Sequence, residues 1–332
     1  MGQVGIMTKN VILDVNRLTI EFLLEEGTFK AVEQVSFQVQ KGRTLAIVGE
    51  SGCGKSVSSL AIMGLLPQLA NVSNGEINFS GKNILTYTKD QLRRLRGDSI
   101  GMIFQEPMTA LNPVYTVGQQ ISEAVRIHKN VSYKEAKKIS ISILEKVRIP
   151  DPHLRYDEYP FQLSGGMKQR VLIGMTLVCD PQVLIADEPT TALDVTIQAQ
   201  ILELIRDLQL SYNMGIIFIT HDLGVVAEVA DDVIVMYSGK VIESASVYDI
   251  FSQPSHPYTR GLLNSIPKIN DNRIEKLSTI SGNVPSLLNR PSGCQFHPRC
   301  PFVVDKCRNV IPEIETVSGS HKVRCHRFRE IN

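Results

Sequence analysis

The sequence has no strong excess of charge of either sign and no long hydrophobic run. Its 35 Lys and Arg residues balance 34 Asp and Glu residues, for a formal net charge of +1, so the composition does not favour a nucleic-acid partner. The longest apolar runs, such as 183–186 and 216–219, are far shorter than the roughly 20 residues that a membrane helix needs. Residues 1–10 contain no apolar core followed by a small-residue cleavage site, so we expect no signal peptide. We therefore expect a cytosolic chain, whose membrane role, if any, comes through a partner.

Cysteine is also scarce, and its distribution is uneven. Cys53 and Cys179 stand alone, whereas the other four cysteines crowd between positions 294 and 325. In a cytosolic protein, clustered thiols indicate a metal or cluster site before they indicate disulfides.

Most of the chain alternates short β-branched runs with helical patterns, the rhythm of a parallel α/β sheet. A small antiparallel sheet is predicted ahead of it, from 11–24 and 31–40. Buried core strands are predicted at 44–48, 100–105, 183–186, 216–220 and 233–237.

Helical patterning dominates residues 88–162, which we interpret as an inserted helical subdomain. Ser132 and Glu135 form a capping-box pair that opens one of its helices, and a second amphipathic helix is predicted after Asp194. After about residue 252 the chain consists of proline-rich segments with little periodicity. Such segments bury little hydrophobic core, so we expect an additional cross-link to stabilise them. We predict a cassette at 1–251 and an extension at 252–332.

The segment 49–56 matches the phosphate-loop pattern G-x-x-x-x-G-K-[ST], between a predicted buried strand and a helical run at 56–64. Its glycines let successive backbone N–H groups converge on an anion at the helix N-terminus. Lys55 supplies a cation for the β- and γ-phosphates, and the Ser56 hydroxyl can bind Mg²⁺. We assign ATP contacts to Gly49, Ser51, Gly52, Cys53, Gly54, Lys55, Ser56 and Val57.

A second element is the buried strand 183–186 followed by two carboxylates. Adjacent residues at a strand end point in different directions and can take different roles. We predict that Asp187 binds Mg²⁺, directly or through water, and that Glu188 polarises the attacking water.

A third element, 163–170, reads Leu-Ser-Gly-Gly-Met-Lys-Gln-Arg. A serine–glycine–glycine turn before a helix that starts near Met167 is a second anion-binding N-terminus. One nucleotide does not need two such sites in one subunit. We therefore predict that Ser164, Gly165 and Gly166 cap the γ-phosphate of ATP bound to a neighbouring subunit.

These elements together resemble the ABC-type ATPases, in which an LSGGQ-like signature stands just before the Walker B strand. The resemblance, over residues 11–260, implies an α/β P-loop NTPase with a RecA-like parallel core, an antiparallel β-subdomain and a helical subdomain. Gln105 matches the Q-loop glutamine, beside Mg²⁺, and residues 192–194 match the D-loop, with Asp194 near ATP. His221 matches the switch histidine, and Phe22, or else Phe29, matches the adenine-stacking aromatic. Met167 departs from the usual signature, but the phosphate-facing residues are kept, so we expect activity.

Two further regions resemble the ATPases of oligopeptide, dipeptide and nickel importers. One is 104–113, beyond Gln105, and the other comprises the tail motifs 253–258, 262–267 and 282–285. The resemblance implies a peptide-importer ATPase on the cytoplasmic face of the membrane, peripheral to it. It also implies two permeases, a second ATPase subunit (identical or related) and, indirectly, an extracytoplasmic peptide receptor as partners.

The clustered cysteines are Cys294, Cys300, Cys307 and Cys325. Their spacing fits neither ordinary zinc-finger pairs nor C-x-x-C redox motifs. All-thiolate ligation suits zinc or an iron–sulfur cluster, and spacing does not choose between them. The resemblance favours a structural [4Fe-4S] cluster, with zinc as the alternative and with three nearby histidines as substitute ligands: His297, His321 and His326.

Three functions remain open from the sequence. The first is an importer motor for di- or oligopeptides. The second is a soluble ABC ATPase acting on nucleic acid or ribosomes, which the basic residues of the tail favour. The third is the same motor importing nickel chelates or glutathione.

Overall fold

The computed structural model describes residues 10–105, 110–191, 193–266, 279–286 and 288–331. Three expected features lie partly outside these residues: the segment after Gln105 at 106–109, the D-loop at Ala192 and the tail motif at Pro267. The described chain forms two compact units. The first comprises residues 10–13, 39–43 and 83–218, and the second comprises the described parts of 14–38, 44–82 and 219–331.

The strands of both units are numbered along the chain. They are β1 (Val11–Leu24), β2 (Gly27–Gln40), β3 (Thr44–Val48), β4 (Ala70–Phe79), β5 (Lys82–Asn83), β6 (Ile100–Ile103), β7 (Val183–Asp187), β8 (Gly215–Ile219), β9 (Asp232–Tyr237), β10 (Lys240–Ser246), β11 (Glu315–Ser318) and β12 (His321–Val323).

The helices are numbered in the same way. They are α1 (Lys55–Ile62), α2 (Lys89–Asp98), α3 (Val117–Lys129), α4 (Tyr133–Lys146), α5 (Pro152–Tyr156), α6 (Gly165–Leu177), α7 (Val195–Tyr212), α8 (Leu223–Val229), α9 (Val247–Ser252), α10 (Pro257–Asn264) and α11 (Asp305–Asn309).

In the first unit, parallel strands bring two site segments to the same sheet edge. β6 pairs with β7, with Ile100 opposite Val183, and β8 lies on the other side of β7. Every residue of β7 is buried, as expected for a strand covered on both faces. The carboxyl ends of these strands lead directly into Gln105 and Glu188.

Helices α3, α4 and α5 of the first unit are joined by buried hydrogen bonds. The Ser122 hydroxyl lies 2.9 Å from that of Ser140 and 2.8 Å from that of Tyr156. Thr116 caps α3 and Ser132 caps α4 through side-chain oxygens. Strand β6 lies inside the predicted helical range 88–162. Along the sequence, helix α2 therefore precedes this core strand, and helices α3 to α5 follow it.

The second unit contains the antiparallel sheet β2-β1-β4-β5 and the strand run β11-β12-β10-β9-β3. β3 is parallel to β9, whereas β10 is antiparallel to both β9 and β12. The core beside them contains Tyr237, Tyr258 and Phe296, whose ring centroids lie 4.8 to 5.4 Å apart in edge-on contacts. Three distant segments of sequence thus share one aromatic core.

All five predicted core strands are present, with small shifts at their ends. The largest concerns β6, which ends at Ile103 rather than at 105, because Phe104 and Gln105 are exposed. The second N-terminal strand begins at Gly27, not at 31, and the signature helix begins at Gly165 rather than near Met167. Among the residues described, no helix combines the length and apolarity needed to span a bilayer.

Candidate functional site

The phosphate-loop segment 49–56 joins β3 to α1 in the second unit. Gly49 has φ of +152°, and a Cβ there would lie 2.3 Å from the Met236 carbonyl oxygen. Gly54 is the N-cap of α1 with φ of 100° and offers no side-chain acceptor to the first turn of the helix. The loop therefore needs glycine at these points, and it presents a helix N-terminus of the kind that binds anions.

Lys55 is held by the backbone of its own loop. Its Nζ donates to the carbonyl oxygens of Gly49, at 2.7 Å, and Glu50, at 3.2 Å. The buried Cys53 thiol lies 3.8 Å from the same Nζ. Burial raises the pKa of this thiol, although the nearby Lys55 opposes that shift. Cys53 is therefore a neutral packing group, and the cation of the loop is Lys55.

The other predicted contacts of the second unit lie on different elements. Ser51 and Gly52 are exposed, whereas Ser56 and Val57 are half-buried at the start of α1. Phe22 on β1 and its alternative Phe29 on β2 are both half-buried. His221 is exposed between β8 and α8, next to Asp222, whose carboxylate caps α8.

In the first unit, the structure brings Gln105 and Glu188 together. Gln105 Nε2 donates to Glu188 Oε2 at 3.1 Å, and the Thr191 hydroxyl donates to the same oxygen at 3.0 Å. Glu188 adopts a φ of +48° directly after the buried Asp187, a conformation found disproportionately at functional sites. The sequence reasoning missed Thr191, for which the only signal was a hydroxyl three residues beyond the carboxylate.

The predicted signature turn is the start of α6. The Ser164 hydroxyl accepts from the Met167 N–H at 3.3 Å and so caps the helix. A Cβ on Gly166 would lie 2.9 Å from the Ile197 side chain, whereas Gly165 has ordinary space. The structure therefore gives a packing reason for glycine at 166 in addition to the predicted phosphate contact.

Two further contacts fix the surroundings of this turn. Gln169 Nε2 donates to the Pro189 carbonyl oxygen at 2.6 Å, which ties α6 to the segment after Glu188. Asp194 caps α7 by accepting from the Ile197 N–H at 2.9 Å. The hydroxyl of Ser164 thus caps the N-terminus of α6, and the carboxylate of Asp194 caps the N-terminus of α7, the next helix along the chain.

The four tail cysteines line one cavity, together with His297 and His326. Burial, together with the smaller Coulombic influence of the other three thiols, raises the pKa of Cys294 to about 12. The Cys294 N–H also donates to the Cys307 carbonyl oxygen at 2.8 Å. The thiols are therefore mutual neighbours, and all six cysteines are unoxidised.

The arrangement of side chains in the described residues does not support the cofactor expected in the tail. No group of three or more His, Cys, Asp or Glu side chains in the described ranges stands in an arrangement ready to hold a metal ion. His321 does not line the cysteine cavity, and its buried Nε2 bonds Glu243 at 2.8 Å. His297 Nδ1 bonds the Cys294 carbonyl, and His326 Nε2 bonds that of Val310.

Two family models match the chain. "ABC transporter" matches residues 32–191, and "Oligopeptide/dipeptide transporter, C-terminal region" matches residues 242–307. The second match includes Cys294, Cys300 and Cys307.

Individual proteins match over nearly the full length. A dipeptide transport ATP-binding protein of Bacillus subtilis is 53% identical over 315 residues, covering 95% of this chain and 94% of the relative. A probable peptide ABC transporter ATP-binding protein of Sinorhizobium fredii is 51% identical over 323 residues, covering 97% and 96%.

The fold agrees with these sequence matches. The dimeric structure of a bacterial ABC transporter cassette superposes with a TM-score of 0.64 and 26% identity, covering 71% of this chain and 99% of that one. The chain therefore belongs to the family of ATP-binding proteins of peptide ABC transporters, which are ABC ATPases.

Proposed function

We propose that this chain is the ATP-hydrolysing subunit of an ABC importer that takes up di- or oligopeptides through partner permeases. The observation that carries the proposal is the second family match. An ABC cassette is followed, at residues 242–307, by the C-terminal region typical of oligopeptide and dipeptide transporters. That match also supports a division into a cassette at 1–251, with helices inserted at about 88–162, and an extension at 252–332.

ATP is bound through the phosphate loop. Backbone N–H groups of the loop and the N-terminus of α1 bind the phosphate oxygens, since no side chain caps this helix. The N–H groups of Glu50 and Cys53 are excepted, because they donate within the protein. Lys55 leaves the carbonyls of Gly49 and Glu50 to contact the β- and γ-phosphates. Phe22 stacks on the adenine, and its position on the N-terminal sheet is the support for this role.

Ser56, Gln105 and Asp187 would hold the Mg²⁺ ion that accompanies ATP. Oxygen ligands of this kind suit Mg²⁺, which neutralises charge on the phosphates when bound. The burial of Asp187 fits a carboxylate whose partner in the working state is a cation.

Glu188 is the group that orients the attacking water. Its carboxylate is oriented by Gln105 and Thr191, both of which donate to Oε2. His221, exposed after β8, provides a donor to the γ-phosphate. Positioning and electrostatic stabilisation then supply most of the catalysis, as is usual in phosphoryl transfer.

The working unit is a dimer in which ATP lies between two cassettes. Ser164, Gly165, Gly166 and Asp194 of one cassette face the nucleotide held by the other. Two observations support this arrangement: the helix N-terminus at Ser164 and the description of the similar bacterial cassette as dimeric. The second cassette is either an identical or a related chain.

The extension carries a cluster site formed by Cys294, Cys300, Cys307 and Cys325. Convergence of the four thiols on one cavity supports it, and soft thiolates suit a [4Fe-4S] cluster, with zinc as the alternative. The cluster would add a link between segments that already share the aromatic core of Tyr237, Tyr258 and Phe296.

The chain acts at the cytoplasmic face of the membrane, where it docks beneath two permeases that receive peptides from an extracytoplasmic receptor. The test is to express the tagged chain with any permease genes found beside its own and to reconstitute the complex in liposomes. We expect a receptor loaded with di- or oligopeptide to raise ATP turnover severalfold. Stimulation by nickel chelates or glutathione instead of peptides would contradict the cargo. Failure of any permease to copurify would contradict the importer.

A further inference from the structure

The phosphate loop contains an acidic residue, Glu50, directly after its first glycine. Carboxylates and phosphates repel each other, and the repulsion is appreciable at the effective dielectric constant of a protein surface. A carboxylate in this position therefore opposes ATP binding unless a cation compensates it.

Arg299 of the tail supplies that cation. Its Nη1 donates to Glu50 Oε2 at 2.7 Å, and its Nη2 donates to Oε1 at 3.0 Å. This is the two-bond geometry in which Arg binds carboxylates most strongly. The Arg299 side chain is only 5% exposed, and that of Glu50 is 28% exposed, so solvent screens the pair less than a surface pair.

The guanidinium is fixed by further contacts. Nε donates to the Ser281 carbonyl at 3.0 Å and Nη2 to that of Ile280 at 3.3 Å. The guanidinium carbon also lies 5.8 Å from the centroid of the Tyr237 ring. These contacts hold Arg299 in place independently of Glu50.

The tail also holds the backbone of the loop. The Tyr258 hydroxyl accepts from the Glu50 N–H at 2.9 Å. Tyr258 is fully buried and lies in the aromatic core with Tyr237 and Phe296. Both the side chain and the backbone of Glu50 are thus anchored by residues more than 200 positions away.

We infer that Arg299 is a positioning residue for ATP, which neutralises Glu50 and, together with Tyr258, keeps the phosphate loop ready for an anion. The C-terminal extension therefore contributes to nucleotide affinity, in addition to any role in importer assembly. The inference rests on the proposed function, because it requires that 49–56 bind ATP.

If the ion pair had only a structural role, the variants would behave differently. The experiment must therefore distinguish the effect of the Arg299 charge from the effect of its packing. If Arg299 acts by neutralising Glu50, then removing the carboxylate should compensate for removing the guanidinium. If Arg299 only holds the tail against the phosphate loop, the variant that lacks both Arg299 and Glu50 should bind ATP as weakly as the variant that lacks Arg299 alone.

The experiment measures ATP and ADP dissociation constants of the full chain by calorimetry at low and high salt. We expect Arg299→Ala to weaken ATP binding roughly tenfold at low salt, and less at high salt, because ions then partly screen the repulsion between Glu50 and the phosphates. ADP, with less charge, should lose less. Glu50→Gln with Arg299→Ala should restore affinity to within about twofold of the wild type. The matched control is Arg329→Ala, which removes an exposed tail Arg paired with Glu315 and should leave affinity unchanged.

Wild-type affinity in Arg299→Ala, or equal losses in the single and double variants, would overturn the inference while leaving ATP binding by the chain intact. Failure of the wild type itself to bind ATP would overturn the proposed function as well. If Arg299→Ala does not fold, Glu50→Gln alone decides the matter. It should bind ATP at least as tightly as the wild type, with a stronger salt dependence because the Arg299 charge is no longer compensated, and looser binding would contradict the inference.

Discussion

Gln105 Nε2 donates a hydrogen bond to Glu188 Oε2 at 3.1 Å, across 83 residues of sequence. The contact joins the residues that follow two neighbouring parallel strands, β6 and β7. It pairs a neutral amide with a carboxylate, so it orients Glu188 without neutralising its charge. A group that must accept from water while staying ionised needs this kind of partner.

Glu188→Gln is the direct test of that role. The substitution keeps the size of the side chain but removes the charge that polarises water, so we expect turnover to fall roughly 100-fold or more. ATP binding should remain, and the ATP-bound dimer should accumulate, as seen by gel filtration with Mg-ATP. Thr191→Ala, which removes only one of the two donors to Oε2, should cause a smaller loss. Undiminished turnover in Glu188→Gln would refute the assignment.

Ser164→Ala separates helix capping from nucleotide recognition. The serine caps α6, so its loss should cost about 1 kcal/mol of stability, measured by urea unfolding. Ser132→Ala removes an equivalent cap from α4, where the hydroxyl accepts from the Glu135 N–H at 3.2 Å, and should cost a similar amount. Only Ser164→Ala should abolish ATP-dependent dimerisation. Equal dimerisation of both variants would place the signature turn away from the nucleotide.

The cysteine cavity makes a prediction about metal content. Anaerobically purified protein should contain about four iron atoms per chain, and Cys300→Ser should lose most of them. Cys179→Ser is the control, because it removes a buried thiol outside the cavity. Burial raises the pKa values of Cys294 and Cys325, to about 12 and about 11, so metal binding must displace protons and should weaken as pH falls. About one zinc per chain would contradict the iron assignment, and absence of both metals would contradict the site.

His256 predicts acid sensitivity of the second unit. It is buried, and its Nδ1 accepts from the Tyr258 N–H at 3.0 Å. Burial lowers its pKa from 6.5 to about 4, although Glu243 opposes the shift. The unfolded chain therefore binds a proton that the folded chain excludes. The resulting stability is fully present above pH 6.5 and is lost as pH falls towards 4, by up to about 3 kcal/mol.

Urea unfolding at several pH values tests this. His256→Asn keeps a short acceptor for the Tyr258 N–H but does not titrate, so its free energy of unfolding should depend less on pH between 6.5 and 4. His153→Asn, an exposed position, should follow the wild type. Parallel profiles for the wild type and His256→Asn would show that this histidine does not govern the acid loss.

The parts of the fold that the sequence predicted well are those governed by local rules. The five core strands are short runs of buried residues, and the Ser132 cap follows from a local spacing. The predicted end of β6 at residue 105 is two residues too late. Phe104 and Gln105 continue the sequence pattern of a strand, but both lie outside the sheet and are exposed.

Other parts depend on contacts that no local pattern encodes. β11 is largely exposed and gave no periodic signal, so the tail hairpin was not foreseen. The Arg299–Glu50 pair joins residues 249 positions apart, and a basic residue in the tail was indistinguishable from a solvated one. The cysteine spacing identified the four thiols that line one cavity, but it did not indicate how close they stand.

The pairing of β12 with β10, with Val323 opposite Glu243, has a practical consequence for anyone shortening this protein. A chain truncated before Glu315 would leave the backbone of β10 as an open edge, and open edges recruit strands from other molecules. Such a fragment would be prone to aggregate during expression even with the whole ATPase cassette intact. The short, charged hairpin of β11 and β12 thus covers the edge of β10 and protects the sheet from aggregation.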